Sequence, residues 1–177
     1  DYHLKLDYSH PVGKNRDKPE SGGKTNFKND ERPFLYSNFQ NNTWAADGSR
    51  TNTFRYMENL NSLYANFSKT FFKKLETRIG LRYEYINFTV KQEVGSVERK
   101  DSYGTLMPDL LLKYSFNENY NLTATYKHSL WRPWYMEFNP FLMPTENGTY
   151  SRGNMDLQPN PNDRFGLKLG LYKKYFL

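Results

Sequence analysis

The chain has 177 residues, 25 of them Lys or Arg and 19 Asp or Glu, for a net charge of +6. Its 15 Tyr and 13 Phe carry much of its apolar surface, and a chain this aromatic is not composed like a disordered one. The cations are dispersed with acids between them, which points away from nucleic acid, and the absence of Cys excludes disulfides and thiolate metal sites.

The first predicted element spans residues 1–9, where Tyr2, Leu4, Leu6 and Tyr8 alternate with His3, Lys5, Asp7 and Ser9. Apolar and polar residues that alternate with period two define a strand with one face of each kind. A short turn is expected over 10–15, then a strand over 17–29, the least regular because Pro19 and Gly22-Gly23 interrupt it. After a long connection over 30–51 come two long strands, 52–71 and 75–92, joined by a tight turn at Lys73-Lys74. In the second of them Arg78, Arg82 and Glu84 share one parity with Gly80, and Ile79, Leu81, Tyr83 and Tyr85 the other. A connection over 93–98 leads to a strand over 99–116, a tight turn at 117–119 and a strand over 119–131. A long loop over 132–163, rich in Pro, Asn and Trp, precedes a last strand over 164–177, in which Leu167, Leu169 and Leu171 alternate with Gly166, Lys168 and Gly170.

Seven strands, short turns at one end and mostly long loops at the other predict an all-β, antiparallel transmembrane β-barrel segment. No apolar run approaches the roughly 18 residues that a membrane-spanning helix needs, which leaves a strand-built membrane protein open. Segments 52–71 and 75–92 exceed the usual 3–10 residues of globular strands and would project beyond the bilayer. Glu76, Arg78, Arg82, Glu84, Asp109 and Lys113 are then the lumen-facing set, and the Leu, Ile and Tyr parity faces outer-membrane lipid. The alternative is a small self-contained barrel, eight-stranded in the membrane or soluble and lipid-binding, with the apolar parity inside.

The stretches LKLDYSHPV, FRYMENLNSLYANFSKTF and RIGLRYEYINF resemble strands of the outer membrane β-barrel family of TonB-dependent receptors. YGTLMPDLLLKYSFNENYNLTATYKHSLWRPWYMEFNPF and then SRGNMDLQPNPND follow the order of strand, turn, strand and loop in that family, with Met155 where Pro is usual and Gln158 where Lys is common. The resemblance covers nearly all of the chain and none of the family's plug domain. It implies that residues 1–177 are a partial barrel domain, part of a barrel of about 22 strands around a plugged lumen. It also implies a Gram-negative outer-membrane location, a TonB complex as partner through segments outside this chain, and import of a scarce nutrient, whether siderophore, oligosaccharide or peptide.

No catalytic constellation, metal-ligand spacing or cofactor motif stands out, so the expectation is a non-enzyme with no cofactor. Of the three histidines, His3, His10 and His128, the two within strands, His3 and His128, have no adjacent carboxylate-rich metal pattern in sequence. The loop after Trp131 concentrates rings and amides suited to ligand capture, and Trp131, Arg132, Trp134, Tyr135, Asn139 and Asn154 are its candidate binding residues. The same rings could instead pack the loop against the barrel rim.

Overall fold

The computed structural model describes residues 1–10, 17–145 and 148–171. Its elements are β1 (Tyr2–Ser9), β2 (Lys18–Phe34), β3 (Ser37–Gln40), β4 (Thr43–Ala46), β5 (Asn52–Phe71), β6 (Leu75–Gln92), β7 (Val97–Ser115), β8 (Tyr120–Trp131), β9 (Met143–Pro144), β10 (Tyr150–Ser151) and β11 (Asn160–Leu171). One 3₁₀ turn, Tyr135–Phe138, lies between β8 and β9. Seven strands form one antiparallel sheet in the order β1-β2-β5-β6-β7-β8-β11, while β3-β4 and β9-β10 are small hairpins within the long loops. Among the described residues β1 and β11 have one neighbour each, so the sheet is not closed.

Strands β5 and β6 run over the ranges read from alternation, and β7 and β8 differ from theirs by one or two residues at an end. The second strand differs more. It runs to Phe34 rather than stopping at 29, with Pro33 opposite Thr53 of β5. Pro33, which has no N–H to give, is carried near the end of β2 without interrupting the register with β5. Gly22 and Gly23 remain inside the ladder, and Gly22 has a packing reason: a Cβ there would lie 2.6 Å from the backbone oxygen of Leu6. The bare backbone lets the Tyr64 hydroxyl reach across β2 and donate to Asp7 on β1.

The connection expected over 93–98 is a short turn over 93–96, with Gly95 at φ 80°. Glycine holds this left-handed conformation without a Cβ clash, so the hairpin closes at once. The last strand begins at Asn160 rather than 164, and the remainder of that expectation, 172–177, lies outside the described residues. The expected turn at 10–15 is likewise described only at His10.

Cross-strand register sorts the side chains into rows. On one face Ile79, Leu110, Tyr126 and Phe165 form one such row, and Gly23, Leu63, Tyr83 and Leu106 another. Leu81, Tyr83 and Leu169 on this face are 45%, 46% and 60% exposed, so they do not gather in a dry interior as a soluble barrel would require. The apolar band runs along β6 from Leu75 to Tyr85. At about 3.3 Å per residue and a typical barrel tilt of about 40°, it would stand roughly 25 Å tall. Exposed Phe71, Phe72, Tyr114, Phe116 and Tyr120 rim the band at the turn end, with Tyr83 and Tyr85 near its other end.

Beyond Tyr85 the alternation reverses. Asn87, Thr89 and Lys91 continue the face that was apolar, whereas Ile86, Phe88 and Val90 are buried on the face that was ionic. The reversal has a cause: the loop after β8 folds back over that end of the ionic face. Phe54, Tyr56, Phe88 and Val90 from the sheet and Tyr135 and Phe138 from the loop form the principal buried cluster.

Candidate functional site

The ionic face is built by register. Opposite Glu76 of β6 stands Lys113 of β7, and their charged groups are 3.0 Å apart. Opposite Gly80 stands Asp109, whose next neighbour on β8 is Lys127. A Cβ at Gly80 would collide with the Asp109 carboxylate, so glycine makes the space in which Asp109 meets Arg78 at 3.5 Å. The six residues expected to line a lumen, Glu76, Arg78, Arg82, Glu84, Asp109 and Lys113, thus share one face of β6 and β7. Exposed pairs such as Lys113–Glu76 contribute about 0–1 kcal/mol each, so this face is better described as hydrated than as ionically braced.

Glu84 is different. Its side chain is 8% exposed, Arg82 Nε approaches it at 3.0 Å, and Arg132 from the start of the long loop donates to its other oxygen. One carboxylate therefore joins the mid-sheet ionic face to the root of the loop. Arg78, Arg82, Asp109, Lys127 and Arg132 border a cleft of about 600 Å³ on this face.

The loop is fastened at further points. The Tyr135 hydroxyl accepts from Arg32 Nη2 at 3.0 Å, and Lys28 Nζ sits 4.1 Å from the centre of the same ring. Burial is the first cause that pushes the Tyr56 phenol, in the same cluster, far above its ordinary pKa. β8 pairs with β7 only over 109–115, which leaves residues 97–108 without a ladder on that side. Arg99 lies in that stretch, and its side chain donates to the backbone oxygens of Met155 and Leu157, tying the loop to β7.

The six loop residues proposed from sequence for binding divide into two groups. Tyr135 and Asn139 are buried, and Asn139 holds the loop: its backbone oxygen accepts from Gly153 N at 2.7 Å and its side chain from Phe141 N at 3.1 Å. The Asn154 N–H donates to the Glu137 oxygen at 2.7 Å, and Arg132 is held by Glu84. Trp131 and Trp134 are 55% and 61% exposed, and the Trp134 ring packs edge-on against Tyr135 with centres 5.1 Å apart. Sequence reasoning missed Arg99, Phe88 and Tyr56, which receive the loop. For Phe88 a signal existed in the switch of parity after Tyr85. Among the described residues no three His, Asp or Glu stand close enough to hold a metal ion.

Long strands, an apolar band with rings at both margins and an opposite ionic face are the attributes of a membrane barrel wall. Comparison with known families matches residues 1–177 to the outer membrane protein beta-barrel family. The chain belongs to that family. Its place is therefore the outer membrane, and the outer membrane protein beta-barrel family accounts for the all-β architecture and the antiparallel order. No curated protein matches the chain.

Proposed function

We propose that the chain forms seven neighbouring strands in the wall of a wider barrel, of about 22 strands, belonging to a TonB-dependent receptor that imports a scarce nutrient in a Gram-negative bacterium. The observation that carries this reading is the pairing of an unclosed sheet with a hydrated ionic face. Unsatisfied strand edges are very costly in lipid, so β1 and β11 call for further strands. The Glu76, Arg78, Arg82, Glu84, Asp109 and Lys113 face then lines an aqueous lumen. The resemblance of the five quoted stretches supplies the finer assignment: a plug, coupling to TonB, and capture of ligand at the long loops. In this reading the barrel wall serves as scaffold and aqueous lining, and the protein acts as a transporter rather than an enzyme.

Uptake is the test. A strain producing the full-length protein and its deletion counterpart are given a radiolabelled ferric hydroxamate siderophore, a linear oligosaccharide and an oligopeptide, with and without an uncoupler of the proton gradient. One class accumulates above the deletion strain, and the uncoupler abolishes the excess. Equal accumulation in both strains for all three, or an excess insensitive to the uncoupler, rejects the receptor reading.

A further inference from the structure

The ends of the two longest loops meet in a second cavity, separate from the ionic cleft. It holds about 330 Å³ and is lined by Phe34, Tyr36, Arg50, Phe141, Leu142 and Tyr150, with Ser49 at its side. The contact that assembles it is Phe34 against Phe141, with ring centres 5.4 Å apart, which brings the 35–51 connection and the loop after β8 together. Any occupant therefore touches both loops at once.

The polar groups of this cup form a neutral set. Arg50 lies with its guanidinium carbon 5.0 Å from the centre of the Tyr36 ring and donates through Nη1 to the Tyr36 hydroxyl at 3.2 Å. Its charge is offset by Asp47, 3.7 Å from Nε. Asp47 in turn accepts from the Ser49 hydroxyl and backbone N–H and from Asn38 Nδ2 at 2.9 Å. Those bonds, the Ser49 hydroxyl first, hold its carboxyl below the usual carboxylate range, so the pair stays ionised and balanced. The Tyr36 hydroxyl accepts from Arg50 and keeps its own proton to donate.

We propose that this cup binds a neutral sugar ring. Aromatic walls suit the apolar face of a pyranose, and the Arg50, Ser49 and Tyr36 groups offer both donors and acceptors to its hydroxyls. An anionic ligand such as a ferric siderophore would find one cation, already compensated. A peptide would need partners for its backbone along an extended path, which a cup of this volume, near the lower limit of ligand pockets, does not supply. The proposal deepens the receptor reading, on which it rests for the loops lying outside the cell, by naming a saccharide as the class captured there.

The experiment uses the full-length protein purified in an amine-oxide detergent, because sugar-headed detergents would compete. Maltose, cellobiose and lactose, with a gallium tricatecholate (the diamagnetic stand-in for a ferric catecholate siderophore) as the anionic comparison, are titrated by saturation-transfer NMR. Binding of at least one disaccharide is expected, weakened roughly tenfold by Tyr150→Ala and by Arg50→Ala. Unchanged heat-modifiable migration on gels shows that each variant is folded. Tyr150→Phe retains most of the affinity if stacking is what Tyr150 provides. No disaccharide binding, or binding unaffected by both alanine variants, overturns the proposal. The two readings fail separately: saccharide binding without energised uptake leaves the cup and removes the receptor, and energised uptake of a siderophore alone does the reverse.

Discussion

At the scale of single residues, Glu84 carries more than its neighbours because it is buried and serves two arginines. Removing it leaves Arg132 partly desolvated and unpaired, and losing one partner of a buried pair is far costlier than losing an exposed one. Glu84→Ala is expected to destabilise the barrel by about 2 kcal/mol and to speed protease cleavage within 132–159; guanidinium unfolding in bilayers and timed proteolysis read the two effects. Glu76→Ala, by contrast, should change neither, since its pair with Lys113 lies in solvent. Asp47 gives a pH dependence at the same scale. Its folded-state pKa is depressed, so its contribution is complete above the ordinary carboxylate pKa and disappears as pH falls through the lower, folded value. The β3-β4 hairpin should therefore hold its amide-exchange protection at neutral pH and lose part of it below about pH 4, whereas Asp47→Asn should lack that protection at both.

At the scale of elements, the strands were legible because period two is a local property and the sheet leaves it visible. Ile79, Leu81, Tyr83 and Tyr85 could be read against Arg78, Arg82 and Glu84 without knowing what lay across the ladder. The extension of β2 to Phe34 was hidden, since a proline reads as a stop in sequence, and only the register with β5 shows Pro33 still opposite Thr53. The loop after β8 was harder still. Trp131, Tyr135 and Asn139 look alike as ring and amide donors in sequence, and only the fold distinguishes the exposed Trp131 from the buried Tyr135 and Asn139. Arg99 carried no signal at all, because its partners are backbone oxygens of Met155 and Leu157. The alternation itself yields a paired prediction. Leu110→Arg, in the row of Ile79 and Phe165, should cost about 2–4 kcal/mol in a bilayer, as cations do at mid-depth on a lipid face. Thr123→Arg, opposite Lys113 on the ionic face, should cost under about 1 kcal/mol if that face is wet. Urea titration in liposomes measures both, and equal costs would show that the two faces have been assigned wrongly.

At the scale of the whole molecule, the outer sides of β1 and β11, unpaired among the described residues, dominate. A hydrogen-bonding edge has no water to turn to within the hydrocarbon. If the proposed wider barrel is right, residues 1–177 produced alone should give no heat-modifiable monomer in detergent, while the whole barrel should migrate faster unheated than boiled. A folded monomer from the segment alone would favour a small closed barrel. The switch of parity after Tyr85 also protects against an error that simple alternation permits. Sliding one strand by two positions past its neighbour keeps every in-facing side chain in-facing, so a uniform pattern barely resists it. Here such a slip of β6 against β5 would move Phe88 from its place opposite Glu58, next to Tyr56, and would carry Glu84 away from its reach of Arg132. The boundary between the wet and the aromatic stretches thereby acts as a vernier mark, fixing the offset between strands that are otherwise free to misalign in even steps.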